Sequence, residues 1–92
     1  MYQILPYTRM KAKRLNLIVK PSTRKGKKID VFNKSGEYLT SIGDKKYMDY
    51  PSYLKWFGKS YADKRRRLYK IRHNKDISVR NSRGWFANML LW

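Results

Sequence analysis

The side chains that usually carry catalysis are scarce in this chain. Its one imidazole is His73, and its six carboxylates (Asp30, Glu37, Asp44, Asp49, Asp63 and Asp76) are scattered. No two of them are spaced as an acid–base pair, and neither a Cys–His nor a Ser–His–Asp arrangement can be singled out. A metal site needs several His, Cys or carboxylate ligands close together, and one His with no Cys does not supply them. Lys25-Gly26-Lys27-Lys28 is only superficially like a phosphate loop, because the first Gly and the Gly-Lys-Ser/Thr ending are missing. The expectation is a protein that is not an enzyme, with no cofactor, no metal and no small-molecule substrate.

What the chain offers instead is positive charge. It has 23 Lys and Arg against six acids, a net charge of +17 on 92 residues. Residues 1–28 carry nine cations and no acid, residues 29–58 carry four of each, and residues 59–92 carry ten cations against two acids. Charge of this size opposes compaction by self-repulsion and favours a polyanionic or acidic partner.

Two segments concentrate the charge. Ser22–Lys28 (STRKGKK) is expected to be a flexible basic loop with Gly26 near its tip. There Arg24, Lys25, Lys27 and Lys28 stand ready for phosphate or acidic contacts. The second segment is a helix from Ser60 to about His73 that places Tyr61, Ala62, Leu68 and Tyr69 on one face. Arg67 and Lys70 fall on the opposite side of that helix, and Lys64 and Arg66 on its flanks, as candidate partner or phosphate contacts. Arg65 and Arg72 fall near the middle of the apolar face, where an unpaired charge is costly to bury. Their stems pack while the guanidinium groups snorkel out or stack on Tyr and Trp rings, or else they pair with a carboxylate such as Asp49 or one on a partner. The run Lys64-Arg65-Arg66-Arg67 is also of the kind found in nuclear import signals and nucleic-acid patches, or simply on a solvated helix face.

The elements that must position these groups are short. Thr8 is a candidate N-cap for a helix through Leu15 with Asn16 as its stop, and Leu17–Val19 reads as a strand ended by Pro21. Lys28–Phe32 and Glu37–Ile42, joined by Asn33-Lys34-Ser35-Gly36, read as a β-hairpin with Gly36 at the positive-φ position. Pro51 suits a first helical position, in an element that runs through Phe57 and is terminated by Gly58. Ser60 and Asp63 have the form of a capping box, and Ser82 caps a last helix in which Trp85, Phe86, Met89 and Trp92 share a docking face. Tyr38, Trp56, Phe57, Tyr61 and Tyr69 fit a core better than a stacking platform. The predicted class is α+β, a small antiparallel sheet built on a hairpin at about 28–42 and packed with several short α-helices, in one domain over residues 1–92. The opening residues lack the apolar stretch and cleavage site of a secretory signal, and no apolar run spans a bilayer.

Residues 62–73 (ADKRRRLYKIRH) are similar to a basic RR-x-x-Y-x-x-R-H stretch, and residues 84–92 (GWFANMLLW) to a G-F-W/Y-A-x-x-L-L-W ending. Both belong to a family of small basic uncharacterised proteins encoded mainly by large double-stranded DNA viruses of algae and protists, chlorovirus- and phycodnavirus-like. The chain departs from the family in the order of Trp85 and Phe86. LPYT at Leu5–Thr8 and the Val19–Phe32 stretch resemble one branch of the family. The resemblance implies no activity; it implies a viral origin and a place in the virion, after synthesis in the host cell. The expected function is a minor, cement-like capsid protein on the inner side of the shell, its basic patches bridging acidic surfaces of capsid proteins of the same virus. Viral DNA and the internal membrane surface are further candidate partners. The rival class is a nucleic-acid-binding protein of genome-packaging or ribosomal type. A third is a protein lying on a membrane surface through residues 84–92.

Overall fold

Asn33 sets the clearest turn in the chain. Its side-chain Oδ1 accepts from the Ser35 and Glu37 amides at 3.0 and 2.9 Å, and its carbonyl accepts from the Gly36 amide at 2.9 Å. Gly36 sits at φ +90°, which a glycine adopts without the Cβ penalty. The hairpin expected from these residues therefore forms. The computed structural model describes residues 2–92, and among them are five helices and one three-stranded antiparallel sheet, an α+β fold. The chain length suits one domain; the contacts within it group into two compact units, one ending at Tyr47 and the other running from Met48 to Trp92.

The first unit begins with α1 (Pro6–Arg14) and continues as a meander of β1 (Ile18–Pro21), β2 (Lys27–Phe32) and β3 (Tyr38–Asp44). Proline starts the helix, because its fixed φ is already helical and its missing N–H would have been unpaired there. Thr8 is thus not the N-cap; Leu5 holds that position, and Thr8 lies fully buried inside the first turn. Asn16 does stop the helix. It takes φ +57°, its amide bonds the Lys13 carbonyl at 3.2 Å, and the Leu17 amide reaches the Ala12 carbonyl at 2.9 Å. That is the paired closure of a Schellman ending, with asparagine in the left-handed position.

Strand β2 is central, and its alternation separates two chemistries. Ile29 and Val31 are fully buried, as is Ile42, the β3 partner of Ile29, and with Ile4 and Ala12 they form this unit's apolar core. Lys28 and Asp30, on the other face of the strand, are also buried, at 5% and 8% exposure. Leu39 is the extra residue of a bulge opposite Val31 and Phe32.

The second unit is helical: α2 (Tyr50–Phe57), α3 (Lys59–Arg72), the single turn α4 (Asn74–Ile77) and α5 (Arg83–Leu91). Asp49 caps α2, its carboxylate accepting from the Ser52 amide at 3.0 Å, and the helix opens at Tyr50, so Pro51 takes its second position rather than the expected first. Gly58 ends α2 and opens α3 at φ +89° and ψ 170°, a region open essentially to glycine alone. The expected capping box is not used: α3 starts at Lys59, before Ser60, and the Asp63 carboxylate engages side chains instead. Ser82 caps α5 as expected, its Oγ accepting from the Trp85 amide at 3.1 Å.

The core of this unit is Tyr50, Ala62, Tyr69, Phe86, Leu90 and Leu91. The terminal helix docks on its own unit, and the Trp92 ring stacks on Tyr69 at 4.2 Å with the planes 8° apart. Its inward face differs from the expected one. Phe86, Leu90 and Leu91 are buried, while Trp85 and Met89 are half-buried. A helix apolar on nearly every side gives periodicity nothing to select.

Two glycines test this packing. A Cβ on Gly84 would meet Asp76 Cβ at 2.7 Å and its carbonyl oxygen at 2.9 Å. Gly84→Ala should therefore destabilise by about 1–3 kcal/mol, although alanine is the better helix former. A Cβ on Gly58 would meet nothing within 4 Å, so Gly58→Ala should cost about 1–3 kcal/mol from backbone strain alone. Denaturant titration followed by tryptophan fluorescence measures both.

Candidate basic interaction surfaces

The loop after β1 is organised by a buried acid. Asp30 Oδ1 accepts the hydroxyls of Ser22 and Ser41, each at 2.6 Å, and Oδ2 accepts the Thr23 amide at 3.4 Å. Ser22 Oγ in turn accepts from the Arg24 amide at 3.0 Å, and the Ser22 amide donates to the Lys28 carbonyl at 2.9 Å. Gly26 turns the chain at φ +81°. The segment expected to be a flexible loop is thus a short turn tied at both ends. Arg24 and Lys25 are exposed and Lys27 is half-buried. Lys28 is a correction: it lies in β2, buried, with its ammonium 5.5 Å from the Tyr2 ring centre, so it does not share the outward surface of the other three. The Arg24 guanidinium lies over the Tyr38 ring at 4.9 Å, and the Tyr38 hydroxyl is 2.7 Å from Ser41 Oγ. This anchoring leaves the Arg24 fork preoriented for a carboxylate or phosphate.

Burial alone would push the Asp30 carboxyl up. The Ser22 and Ser41 hydroxyls, the Thr23 amide and the Arg24 charge outweigh it and hold the group below its usual range.

The second basic cluster is on α3, which is rotated from the expected orientation. Its inward stripe is Ala62, Arg66, Tyr69 and His73, whereas Tyr61 and Leu68 are exposed. Arg66 lies 4.1 Å above the Tyr50 ring, and its guanidinium is 3.4 Å from Asp63 Oδ1. That engagement corrects its placement as an outward contact. Asp63 also accepts the Tyr50 hydroxyl at 2.8 Å and the Lys59 ammonium at 2.7 Å. The Lys59 and Tyr50 hydrogen bonds hold the Asp63 carboxyl below its usual range; burial and the bond to Asp63 raise the Tyr50 phenol.

The remaining candidates divide. Lys64 and Arg67 are exposed, and Lys70 is exposed while donating to Asn88 Oδ1 at 3.0 Å. Arg65 is half-buried with its guanidinium 5.4 Å from the Tyr53 ring centre, the stacked arrangement. Arg72 is exposed, the outward alternative of the two expected for it, and its Nε donates to His73 Nε2 at 3.4 Å. His73 itself sits against Tyr69 and 3.4 Å from Asp76. Among the described residues no cluster of acids and histidines could hold a metal ion, and no helix is long and apolar enough to cross a membrane.

Sequence reasoning missed two groups. Asp30 and Asp63 act as internal counter-charges, signalled only by β-strand alternation in one case and by helix spacing to Lys59 and Arg66 in the other. The aromatic residues assigned to a core are mostly outside it: Trp56 is 69% and Phe57 59% exposed, Tyr38 and Tyr61 are exposed too, and only Tyr69 is buried.

Because Asp30 ionises below the 3.8 of an unperturbed aspartate, its charge stabilises the folded chain above that pH, and the stabilisation is lost as pH falls through the lowered value. Asp30→Asn should reduce stability at neutral pH by about 1–3 kcal/mol. It should also flatten the loss of stability on acidification below about pH 4, as measured by denaturant titration across pH.

No family model matches the chain, and neither a curated protein nor a solved structure is detectably similar to it.

Proposed function

We propose that this chain is a non-enzymatic structural protein of a large double-stranded DNA virus, a minor capsid component that bridges acidic surfaces of capsid proteins. One observation carries the bridging reading. Each compact unit has its own core and its own cationic cluster, the exposed Arg24 and Lys25 with half-buried Lys27 beside them in the first and the exposed Lys64 and Arg67 in the second. The net charge is shared almost evenly, +9 up to Tyr47 and +8 from Met48 on. A chain with one basic cluster per unit has two places to meet an acidic surface, which suits cementing neighbours. The viral setting, with synthesis in the host cell and residence in the virion, rests on the resemblance over residues 60–92.

A second reading, nucleic-acid binding, is favoured by Trp56, whose exposed ring lies 5.1 Å from the Lys55 ammonium. If about six to ten phosphates are neutralised, affinity for DNA should fall about 10³–10⁵-fold between about 50 and 200 mM salt. A shallow salt dependence removes this second reading.

The primary reading predicts that the protein is found in purified virions by mass spectrometry. Arg24→Glu with Lys25→Glu, and separately Lys64→Glu with Arg67→Glu, should each lower its incorporation without unfolding it. Absence from virions rejects the reading.

A further inference from the structure

Helix α3 has a second face that is left uncovered. Opposite the inward stripe, Lys64, Arg67, Leu68 and Ile71 recur at i, i+3, i+4 and i+7 and are all exposed, Leu68 at 43% and Ile71 at 69%. The stripe is continuous with the α2–α3 turn, where the exposed rings of Phe57 and Tyr61 lie 5.2 Å apart. Lys64 and Arg67 make no ion pair or side-chain hydrogen bond among the described residues, so their charges are available.

We propose that this stripe is the docking face for an amphipathic helix of a partner protein whose apolar ridge is flanked by Asp and Glu. The inference rests on the bridging reading for the acidic character of its partner, and adds where the contact is made and by what shape. Three features select this occupant. The Phe57 and Tyr61 rings at the end of the stripe could stack a base, but Leu68 and Ile71 in its middle have no ring and would be idle against a single-stranded nucleic acid. Lys64 and Arg67 share the arc of the two aliphatic side chains, whereas a helix lying in a bilayer surface separates its charged and apolar faces. A second copy of the chain would bring +17 against +17. A helix with acidic flanks meets both demands: its ridge covers Leu68 and Ile71 at the spacing helices pack with, and its carboxylates face Lys64 and Arg67.

The test uses the full chain and a labelled three-heptad peptide with Leu ridge positions and Glu flanks, measured by fluorescence anisotropy. An oligo-dT 20-mer and phosphatidylserine-containing vesicles are run beside it. Leu68→Ser with Ile71→Ser should weaken peptide binding about tenfold or more and leave oligo-dT binding unchanged. Lys64→Glu with Arg67→Glu should weaken both. Circular dichroism and thermal melting of each variant confirm that exposed positions were changed without unfolding. Peptide affinity indifferent to Leu68→Ser/Ile71→Ser overturns the docking face, as does binding to oligo-dT or vesicles alone. Such a failure in a chain still found in virions leaves the bridging reading intact. Absence from virions with the peptide dependence retained does the reverse.

Discussion

A shortage of carboxylates governs how this chain folds. Six acids cannot neutralise 23 cations, so the folded state needs other counter-charges or must leave its cations in water. It does both. Asp30 and Asp63 are each placed where one carboxylate serves several donors. Aromatic faces take the next share, with Arg24 over Tyr38, Arg65 over Tyr53, Arg66 over Tyr50 and Lys20 over Phe32. Each such contact is worth about 0.5–1 kcal/mol at an exposed site, and it replaces an acid the chain does not have. The exposed cations, Arg24 on its ring among them, are the ones available to a partner.

This division explains the richness in aromatic residues, fourteen in a chain with a small core. The rings are not mainly core filling. Tyr50 is buried, yet its face carries Arg66 and its hydroxyl reaches Asp63. Tyr38 is exposed, carries Arg24 and closes the chain of hydroxyls to Asp30 through Ser41. Ring and carboxylate act together in both units, holding one arginine in each.

Local chemistry was legible from sequence wherever one residue dictates a backbone conformation. Asn33 and Gly36 specified the hairpin, Asn16 and Ser82 marked a helix end and a helix start, and Pro51 placed the first turn of α2. Where two signals competed, the stronger backbone constraint won: Pro6 over Thr8, and Gly58 over Ser60. Rotation about a helix axis was not legible. In α3 the apolar and cationic residues are interleaved, so Tyr61 and Leu68 looked as eligible for the core as Ala62 and Tyr69. What chose between them was the Tyr50 ring, thirteen positions before Asp63, receiving Arg66. The candidate surfaces were therefore located to the right segments, while Lys28 and Arg66 were misassigned within them.

Bridging requires that cations of both units face carboxylates of other proteins at once. Zero-length carboxyl-to-amine cross-linking of intact virions, followed by mass spectrometry of the linked peptides, measures this directly. Bridging predicts that Lys25 or Lys27 of the first unit and Lys64 of the second are each joined to Asp or Glu of capsid subunits. Links confined to one unit, or to carboxylates of the chain itself, would contradict it.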